Sequence, residues 1–232
     1  MASFKLAAAE MVRVTGIFLS FVPSDSEIQT ELNLVSYQDI GLNERSLGVS
    51  LKKPGQSLDL GGIAKGFAAD EVRRILLKNG VRSAMINLGG NVMAIGRRPD
   101  GQPWQIGVQN PLAPTGQYLG ILSVTDKTVV TSGCNERFFM KDGIRYHHIL
   151  DPRTGRPAQN SVLSVTAVCD CSEDADALTT ALFILGPENS EPLLRKIQAE
   201  AIFINGDLSV NVSQGLKNNF ELNASSQKGC LL

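Results

Sequence analysis

The stretch SEDADALTTALFILGP, residues 172–187, decides how the rest of the chain is interpreted. Its pattern predicts one helix, which Ser172 or Asp174 caps at the start and Gly186-Pro187 ends. At 100° per residue, four apolar side chains fall on one stripe of this helix, and we expect that stripe to be buried. These side chains are Leu178, Ala181, Leu182 and Leu185.

The opposite face of the same helix carries two oxygen-bearing side chains, Asp176 and Thr180, which lie one turn apart. Beyond the acidic first turn, the next charged residue is Glu188. An isolated carboxylate and hydroxyl on an Ala-rich helix are typical ligands of a hard cation. The same residues also fit a plain structural role, in which the acidic turn complements the helix dipole and Thr180 bonds to a backbone carbonyl.

Composition narrows the class of protein. The chain has 232 residues, of which 43% are hydrophobic and 19% charged, and a net charge of −1. This balance is sufficient for a good hydrophobic core and argues against nucleic acid as the main partner. No apolar run is long enough to span a bilayer. Residues 1–21 contain Glu10 and Arg13 and lack a signal-peptide core, so we expect a cytoplasmic chain or one whose leader has been removed.

The four cysteines indicate free thiols. Cys169 and Cys171 are separated by one residue, a spacing at which a disulfide in an extended segment is strained, and no second pair completes a zinc site. Cys134 stands alone, and Cys230 lies in a C-terminal segment, residues 223–232, that we expect to be a disordered tail.

The remaining pattern indicates an α+β fold with largely antiparallel sheets, because strands arrive in hairpin-like runs and helices are inserted singly. A capped helix is expected after Ser24, and a strand is expected over residues 58–60. Two further helices are expected over residues 64–79 and 191–200. Lys141-Asp142-Gly143 is a strong hairpin signal. Residues 84–88 and 91–95 are expected to form one strand and its continuation.

Three strand ends carry small or glycine-rich turns. Two glycines before a helix start allow a ligand to approach the backbone, and Lys65 adds a cation where the helix dipole suits phosphate. The spacing fits neither a Walker loop nor a Rossmann fingerprint, and each turn alone is usually only a bend. Together they favour a crevice lined by the following segments: Asp59-Leu60-Gly61-Gly62-Ile63-Ala64-Lys65-Gly66, Asn87-Leu88-Gly89-Gly90-Asn91 and Thr131-Ser132-Gly133.

Both histidines of the chain, His147 and His148, stand in the segment that ends in Asp151-Pro152-Arg153-Thr154-Gly155. Neighbouring residues of a strand face opposite sides, so at most one of the two is expected to face a given site. A histidine beside Asp151 is suited to act as a general base or to bind phosphate. The plain alternative is a surface hairpin that ends in a rigid turn.

In this order, the glycine-rich segments, the histidine segment and the Asp176 helix resemble the FAD:protein FMN transferase family, also called ApbE. The resemblance runs from about Val35 to Gly186. It implies an ApbE/T-fold-like α+β domain over residues 46–222, with residues 1–45 as a shortened N-terminal segment of that domain and a ligand crevice between its two halves.

The resemblance also implies an activity, the magnesium-dependent transfer of FMN from FAD to a Thr or Ser hydroxyl of an acceptor protein through a phosphoester bond, with release of AMP. It makes Asp176, Thr180 and the Gly62 carbonyl the ligands of Mg²⁺, and His148 the base that deprotonates the hydroxyl. The residues implied in FAD binding are Asp59, Gly61, Gly62, Lys65, Gly89, Gly90, Thr131, Ser132, Gly133 and Ile149. The acceptor is expected to be a subunit of a membrane electron-transfer complex, and members of the family are commonly periplasmic and lipid-anchored.

The chain departs from the family pattern in two places. A Thr-Gly-Gly-Ala-Phe-Asp-like segment that helps to hold the flavin has its nearest match at Thr15–Ser20, which lacks the second glycine and the aspartate. Cys134 and Asn135 follow Gly133, where an Asp or Asn and then an aromatic residue are usual. Two alternatives therefore stay open: an FAD pyrophosphatase, which produces AMP and FMN, and a catalytically impaired flavin-binding fragment.

Overall fold

The structure is a computed structural model that describes residues 21–135 and 137–223. The predicted match at Thr15–Ser20, residues 224–232 of the expected tail and Cys230 lie outside the described residues. The helices are α1 (Asp25–Leu32), α2 (Ala64–Lys78), α3 (Ser172–Leu185) and α4 (Pro187–Ile197), with short 3₁₀ turns at Tyr37–Asp39 and Gln214–Leu216.

The strands pair antiparallel throughout the described sheets, which confirms the expected α+β class. In chain order they are β1 (Ile40–Asn43), β2 (Gly48–Leu51), β3 (Ala84–Leu88), β4 (Asn91–Ile95), β5 (Trp104–Gln109), β6 (Tyr118–Val124), β7 (Thr128–Gly133), β8 (Phe138–Lys141), β9 (Ile144–His147), β10 (Leu150–Asp151), β11 (Arg156–Pro157), β12 (Val162–Cys169), β13 (Glu200–Asn205), β14 (Val210–Val212) and β15 (Phe220–Leu222).

The contacts divide the chain into two compact units. In the described part of the chain, the first unit comprises residues 21–62 and 137–159 and contains α1 and three short hairpins, β1–β2, β8–β9 and β10–β11. Ser24 caps α1 in a capping box with Glu27, as the sequence predicts. A small apolar cluster is built from Ile28 and Leu150, with Leu32 and Val35 packed against it. The division of the sequence at residue 45 stays a prediction.

The second unit, over described residues 63–135 and 160–223, is layered. Its central sheet has the strand order β14-β13-β12-β7-β4-β3, and a second sheet has the order β15-β6-β5. One apolar cluster joins strands of both sheets, with Ile202 and Leu122 fully buried in it. α2 packs on β3 and β4 around Ala69 and Met93, and α3 contacts β7 and β12.

Helix α3, which the stretch 172–187 predicts, is buried on nearly every side. Its Leu178 and Leu182 are fully buried and Leu185 is half-buried, but Asp176 on the opposite face is buried as well. Gly186 ends the helix as predicted, with φ of +73°. The predicted N-cap is wrong, because Cys171 occupies the cap position and makes no side-chain capping bond.

Three other local predictions need correction. Residues 56–60 form no regular strand, and the helix predicted over 191–200 begins earlier, at Pro187, whose fixed φ suits a first helical position. β3 and β4 form an antiparallel hairpin and not one continued strand. Gly89 and Gly90 turn the chain with φ of +59° and +89°, values that other residues rarely adopt.

Two expectations drawn from composition can be compared with the described part of the chain. None of its helices has the length and apolar character needed to cross a bilayer. Cys134, Cys169 and Cys171 are free thiols, as predicted. Burial raises the pKa of Cys169 to about 12 and that of Cys171 to about 11, so both thiols stay protonated at neutral pH.

Candidate functional site

Asp176 carries the buried carboxylate of the described part of the second unit. Only 2% of its surface is exposed, although a buried carboxylate is costly unless it is paired. The N–H of Gly66 donates to its Oδ2 at 3.2 Å, and the ammonium of Lys65 lies 3.5 Å from its Oδ1. Both partners belong to the first turn of α2, so one helix start holds both oxygens.

Gly66 allows α2 and α3 to approach each other at this point. A Cβ built on Gly66 would lie 2.3 Å from the carbonyl oxygen of Ser172 and 2.6 Å from the Cα of Glu173. These are backbone atoms, which cannot move aside as a flexible side chain can. Glycine is therefore required by the contact between the two helices, independently of any ligand.

One turn further along α2, the carboxylate of Asp70 caps the start of α3. Its Oδ1 accepts the N–H of Ser172 at 3.0 Å, and its Oδ2 accepts the N–H of Glu173 at 2.9 Å. The thiol of Cys171 donates to Oδ2 at 3.4 Å. These N–H groups have no acceptor within their own helix, so Asp70 supplies the cap that Cys171 does not.

The side chain of Ser172, which the sequence suggests as the cap, has a different role. Its hydroxyl donates to Oδ1 of Asn91 at 2.7 Å and accepts from the hydroxyl of Thr128 at 3.0 Å. All three side chains are fully buried. The hydroxyl ties the start of α3 to the central sheet, because Asn91 belongs to β4 and Thr128 to β7.

The Gly89-Gly90 turn lies beside Lys65; both belong to predicted flavin-binding segments, and that role stays a prediction. A Cβ at Gly89 would meet the Lys65 Cδ at 4.0 Å, an ordinary van der Waals contact. The side-chain oxygen of Asn87 accepts the N–H of Gly90 at 2.9 Å and fixes the turn. Lys65 is 46% exposed in its side chain, so its ammonium is accessible to a ligand.

In the third predicted segment, Thr131-Ser132-Gly133, the two hydroxyls form hydrogen bonds with other side chains of the protein. Ser132 and Thr179 share a hydrogen bond of 2.8 Å between their side-chain oxygens, and Thr131 shares one of 2.8 Å with Thr166. Thr179 also donates to the carbonyl of Asp176 at 3.0 Å. The end of β7 is thereby attached to α3 beside Asp176 and Thr180, and Thr180 is half-buried.

In the first unit, Asp59 and Gly61 form a tight turn. The carboxylate oxygen Oδ1 of Asp59 accepts the N–H of Gly61 at 2.6 Å, in the manner of an Asx turn. This bond explains why the predicted strand over residues 58–60 is absent, because the aspartate bends its own backbone. Gly62, a predicted metal and flavin contact, follows directly as the last residue of the unit's first segment.

His147 and His148 differ in burial, and β9 ends at His147, so His148 lies just beyond the strand. His147 is buried at the end of β9, where its Nδ1 accepts the N–H of Ile149 at 3.3 Å, and burial lowers its pKa from 6.5 to about 4. His148 is half-buried, and its Nδ1 lies 3.3 Å from the carbonyl oxygen of Arg137. A carbonyl only accepts, so Nδ1 carries the hydrogen and Nε2 is the nitrogen that can take up a proton.

Ile149 and Asp151, which follow His148, have structural partners. The Ile149 side chain is buried, and its carbonyl accepts the N–H of Ala158 at 3.0 Å. Asp151 accepts two hydrogen bonds from the guanidinium of Arg153, at 2.6 Å and 2.9 Å. Those bonds hold the pKa of Asp151 below its usual range. This carboxylate therefore fixes the Pro-Gly turn and does not orient His148 through a described contact.

The donor set around Asp176 fits a hard cation that keeps most of its ligands from water or phosphate. Among residues 21–135 and 137–223, no group of three His, Cys, Asp or Glu side chains could hold a metal. A buried carboxylate with a hydroxyl one turn away offers two oxygen ligands, and Mg²⁺ commonly binds through one or two carboxylates together with substrate phosphates. The nearby ammonium of Lys65 shows that this position favours positive charge.

Two features escape prediction from the sequence. Asp70 lies about a hundred residues from the helix it caps, so no local pattern connects it with α3. The available signal is that Cys171, a poor cap, precedes a strong helix pattern, which indicates that a cap comes from elsewhere. The Ser132–Thr179 bond likewise joins residues 47 positions apart.

Comparisons with known proteins give consistent results. A model of the ApbE family matches residues 2–203. An FAD:protein FMN transferase of Klebsiella pneumoniae is 41% identical over 93% of this chain and 68% of its own length. One of Treponema pallidum is 41% identical over 84% of this chain and 58% of its own. The crystal structure of the ApbE protein of Thermotoga maritima matches 94% of this chain and 72% of that one, with 32% identity and a TM-score of 0.84.

Proposed function

Because the chain belongs to the ApbE family, we propose that it transfers FMN from FAD to a Thr or Ser hydroxyl of an acceptor protein. The two relatives described above carry the name FAD:protein FMN transferase, and the chain spans 68% and 58% of their lengths. The observation that carries the proposal within this chain is the buried carboxylate of Asp176, held by the Gly66 N–H and facing the Lys65 ammonium.

The proposed metal is Mg²⁺, with Asp176, Thr180 and the Gly62 carbonyl as its protein ligands. When bound, the ion supplies positive charge that offsets the charge developing on the pyrophosphate as the bond to AMP breaks. Lys65, paired with Asp176 here, is long enough to turn its ammonium towards a phosphate while its stem stays beside Gly89. The N–H of Gly66 keeps Asp176 oriented in either case.

The reaction forms one P–O bond and breaks another. The acceptor hydroxyl oxygen attacks the phosphorus on the FMN side of the pyrophosphate, and AMP leaves with the bridging oxygen. His148 takes the hydroxyl proton on Nε2, because its Nδ1 hydrogen is directed at the carbonyl of Arg137. A general base of this kind contributes a rate factor on the order of 10²–10⁴.

The proposed partner is a protein with an accessible Thr or Ser, in keeping with a subunit of a membrane electron-transfer complex. The glycine-rich turns at Asp59–Gly62 and Gly89–Gly90 contribute to FAD binding in this proposal. Thr131, Ser132 and Gly133 contribute mainly as part of the framework of the site: the Ser132 hydroxyl bonds to Thr179 on α3, and the Thr131 hydroxyl bonds to Thr166 on β12. Ile149 contributes by holding the segment that carries His148, because its side chain is buried and its backbone groups bond to His147 and Ala158.

The test is to incubate the protein with FAD, Mg²⁺ and an acceptor domain, and to follow both the acceptor mass and free AMP. We expect the acceptor to gain the mass of FMN less one water, in equal molar amount to the AMP released, and to gain none when Mg²⁺ is chelated. Release of AMP and FMN without labelling of the acceptor would show that the protein hydrolyses FAD and does not transfer FMN. Absence of AMP would leave a flavin-binding role and refute the proposal.

A further inference from the structure

The start of α3 is held from outside its own sequence. Its cap residue Cys171 has φ of −108° and ψ of +123°, the extended conformation of an N-cap, but its thiol makes no capping bond. The N–H groups of Ser172 and Glu173 donate instead to Asp70 on α2. A helix whose cap comes from a neighbouring helix is fixed to that neighbour in position and in rotation.

The same face of α2 touches α3 at two points. Gly66 and Asp70 are four residues apart, so they lie on one side of α2, one turn from each other. Gly66 sets the closest approach, since even a methyl group would meet the backbone of Ser172 and Glu173. Asp70 prevents α3 from sliding or turning at that contact, because two hydrogen bonds from consecutive N–H groups define its orientation.

The position of Asp176 depends on this attachment. Asp176 follows Ser172 by four residues, so it lies one helical turn beyond the capped N–H groups. Its Oδ2 accepts the Gly66 N–H at 3.2 Å, a distance at which a displacement of α3 by a fraction of an ångström weakens the bond. The Asp70 cap and the Gly66 contact therefore determine where the Asp176 carboxylate stands relative to Lys65.

We propose that Asp70 is a positioning residue for the cation site: by capping α3 from α2, it places the carboxylate of Asp176 for metal binding. This inference rests on the proposed function in one respect, that Asp176 holds the cation. Groups that orient metal ligands from outside typically affect metal affinity by 10–100-fold when they are replaced. Asp70 contacts backbone N–H groups and a thiol of α3.

The experiment measures Mn²⁺ binding to the full chain by electron paramagnetic resonance, with Asp70→Asn as the main variant. Asparagine keeps the size of the side chain but replaces one acceptor oxygen by an NH₂ group, which cannot accept from an N–H. We expect the Mn²⁺ dissociation constant to rise by roughly 10-fold or more. Glu71→Gln is the matched control, because it removes the same charge from the next residue, whose 42% exposed side chain pairs with Arg74 on α2 itself.

A second substitution separates positioning from simple stabilisation of the helix. Cys171→Ser places a hydroxyl at the N-cap, where the existing backbone conformation suits a local cap. In Asp70→Asn/Cys171→Ser, we expect thermal stability to recover while Mn²⁺ binding stays weak, because a local cap does not attach α3 to α2. If Asp70→Asn alone does not fold, the Mn²⁺ measurement is made in the Cys171→Ser background.

Three results would overturn the inference, and they differ in what else they affect. Unchanged Mn²⁺ affinity in Asp70→Asn, while Asp176→Ala loses binding, removes the role of Asp70 and leaves the proposed function intact. Recovery of Mn²⁺ affinity by Cys171→Ser shows that Asp70 only stabilises the helix. Unchanged affinity in Asp176→Ala removes the metal assignment itself, and the inference falls with it.

Discussion

Gly66→Ala tests the contact between α2 and α3 most directly. The new methyl group would lie 2.3 Å from the Ser172 carbonyl oxygen and 2.6 Å from the Glu173 Cα. Ordinary van der Waals contacts between non-bonded carbon atoms begin at about 3.5 Å, so α3 has to move away by about 1 Å. Overpacking of this kind typically costs about 1–3 kcal/mol, and the better helix propensity of alanine offsets at most about 1 kcal/mol.

The net expectation is that the free energy of unfolding, measured by urea denaturation, falls by about 1 kcal/mol, the middle of the overpacking range less the gain in helix propensity. The same movement lengthens the hydrogen bond from the residue 66 N–H to Oδ2 of Asp176, now 3.2 Å. Magnesium-dependent turnover should therefore fall more than the small loss of folded protein explains. Gly206→Ala is the control for the methyl group itself. Its Cβ would lie 3.6 Å from the Ser161 carbonyl oxygen.

The two variants should differ clearly. Gly206→Ala introduces the same methyl group at an ordinary contact distance, so its stability and turnover should stay near those of the parent chain. A Gly66→Ala protein that unfolds at the same urea concentration as the parent and keeps full turnover would refute the close helix contact. Equal losses in both variants would show that the effect of the methyl group does not depend on the contact with α3.

Three further predictions concern single side chains. Burial lowers the pKa of His147 to about 4, so as the pH falls the unfolded chain binds a proton at this residue before the folded chain does. The contribution to the free energy of unfolding is therefore fully present above pH 6.5, and up to roughly 3 kcal/mol of it is lost as the pH falls towards 4. His147→Gln should remove this pH dependence. An unchanged slope in urea titrations would contradict the buried neutral ring. Asp176→Ala should abolish Mg²⁺-dependent FMN transfer without unfolding the chain, and normal transfer would exclude Asp176 as a ligand. His148→Ala should slow transfer by roughly 10²-fold or more and change FAD affinity little, whereas a loss confined to affinity would make His148 a binding contact only.

The parts of the fold that sequence predicts well are those with short-range causes. The capping box of Ser24 and Glu27 spans four residues, and the hairpin at Asp142-Gly143 depends on two residues with positive φ. Both α2 and α3 follow from helical spacing and from glycines at or just beyond their ends. In each case the deciding interaction lies within one or two turns of chain, so the local pattern contains it.

The predictions that are wrong have causes outside the local pattern or in competition with it. The strand expected at residues 58–60 is lost to a hydrogen bond between the Asp59 side chain and the Gly61 N–H, which hydrophobic alternation does not reveal. The cap of α3 comes from Asp70, far away in sequence. Asp176 and Thr180 can be selected from the helix alone as oxygen ligands, but the partners of the Asp176 carboxylate come from α2.

The start of α2 explains why a weak sequence signal acquires a specific meaning in the folded chain. Lys65 and Gly66 each reach one oxygen of Asp176, and Asp70 fixes the helix that carries it. Two glycines before a helix usually mark only a turn, and an acidic residue within a helix is usually solvated. Gly66 and Asp70, four residues apart on α2, let this helix approach and orient α3, and Lys65 balances the charge of the buried carboxylate. The position and the partners of the Asp176 carboxylate therefore depend on both helices and not on the α3 sequence alone.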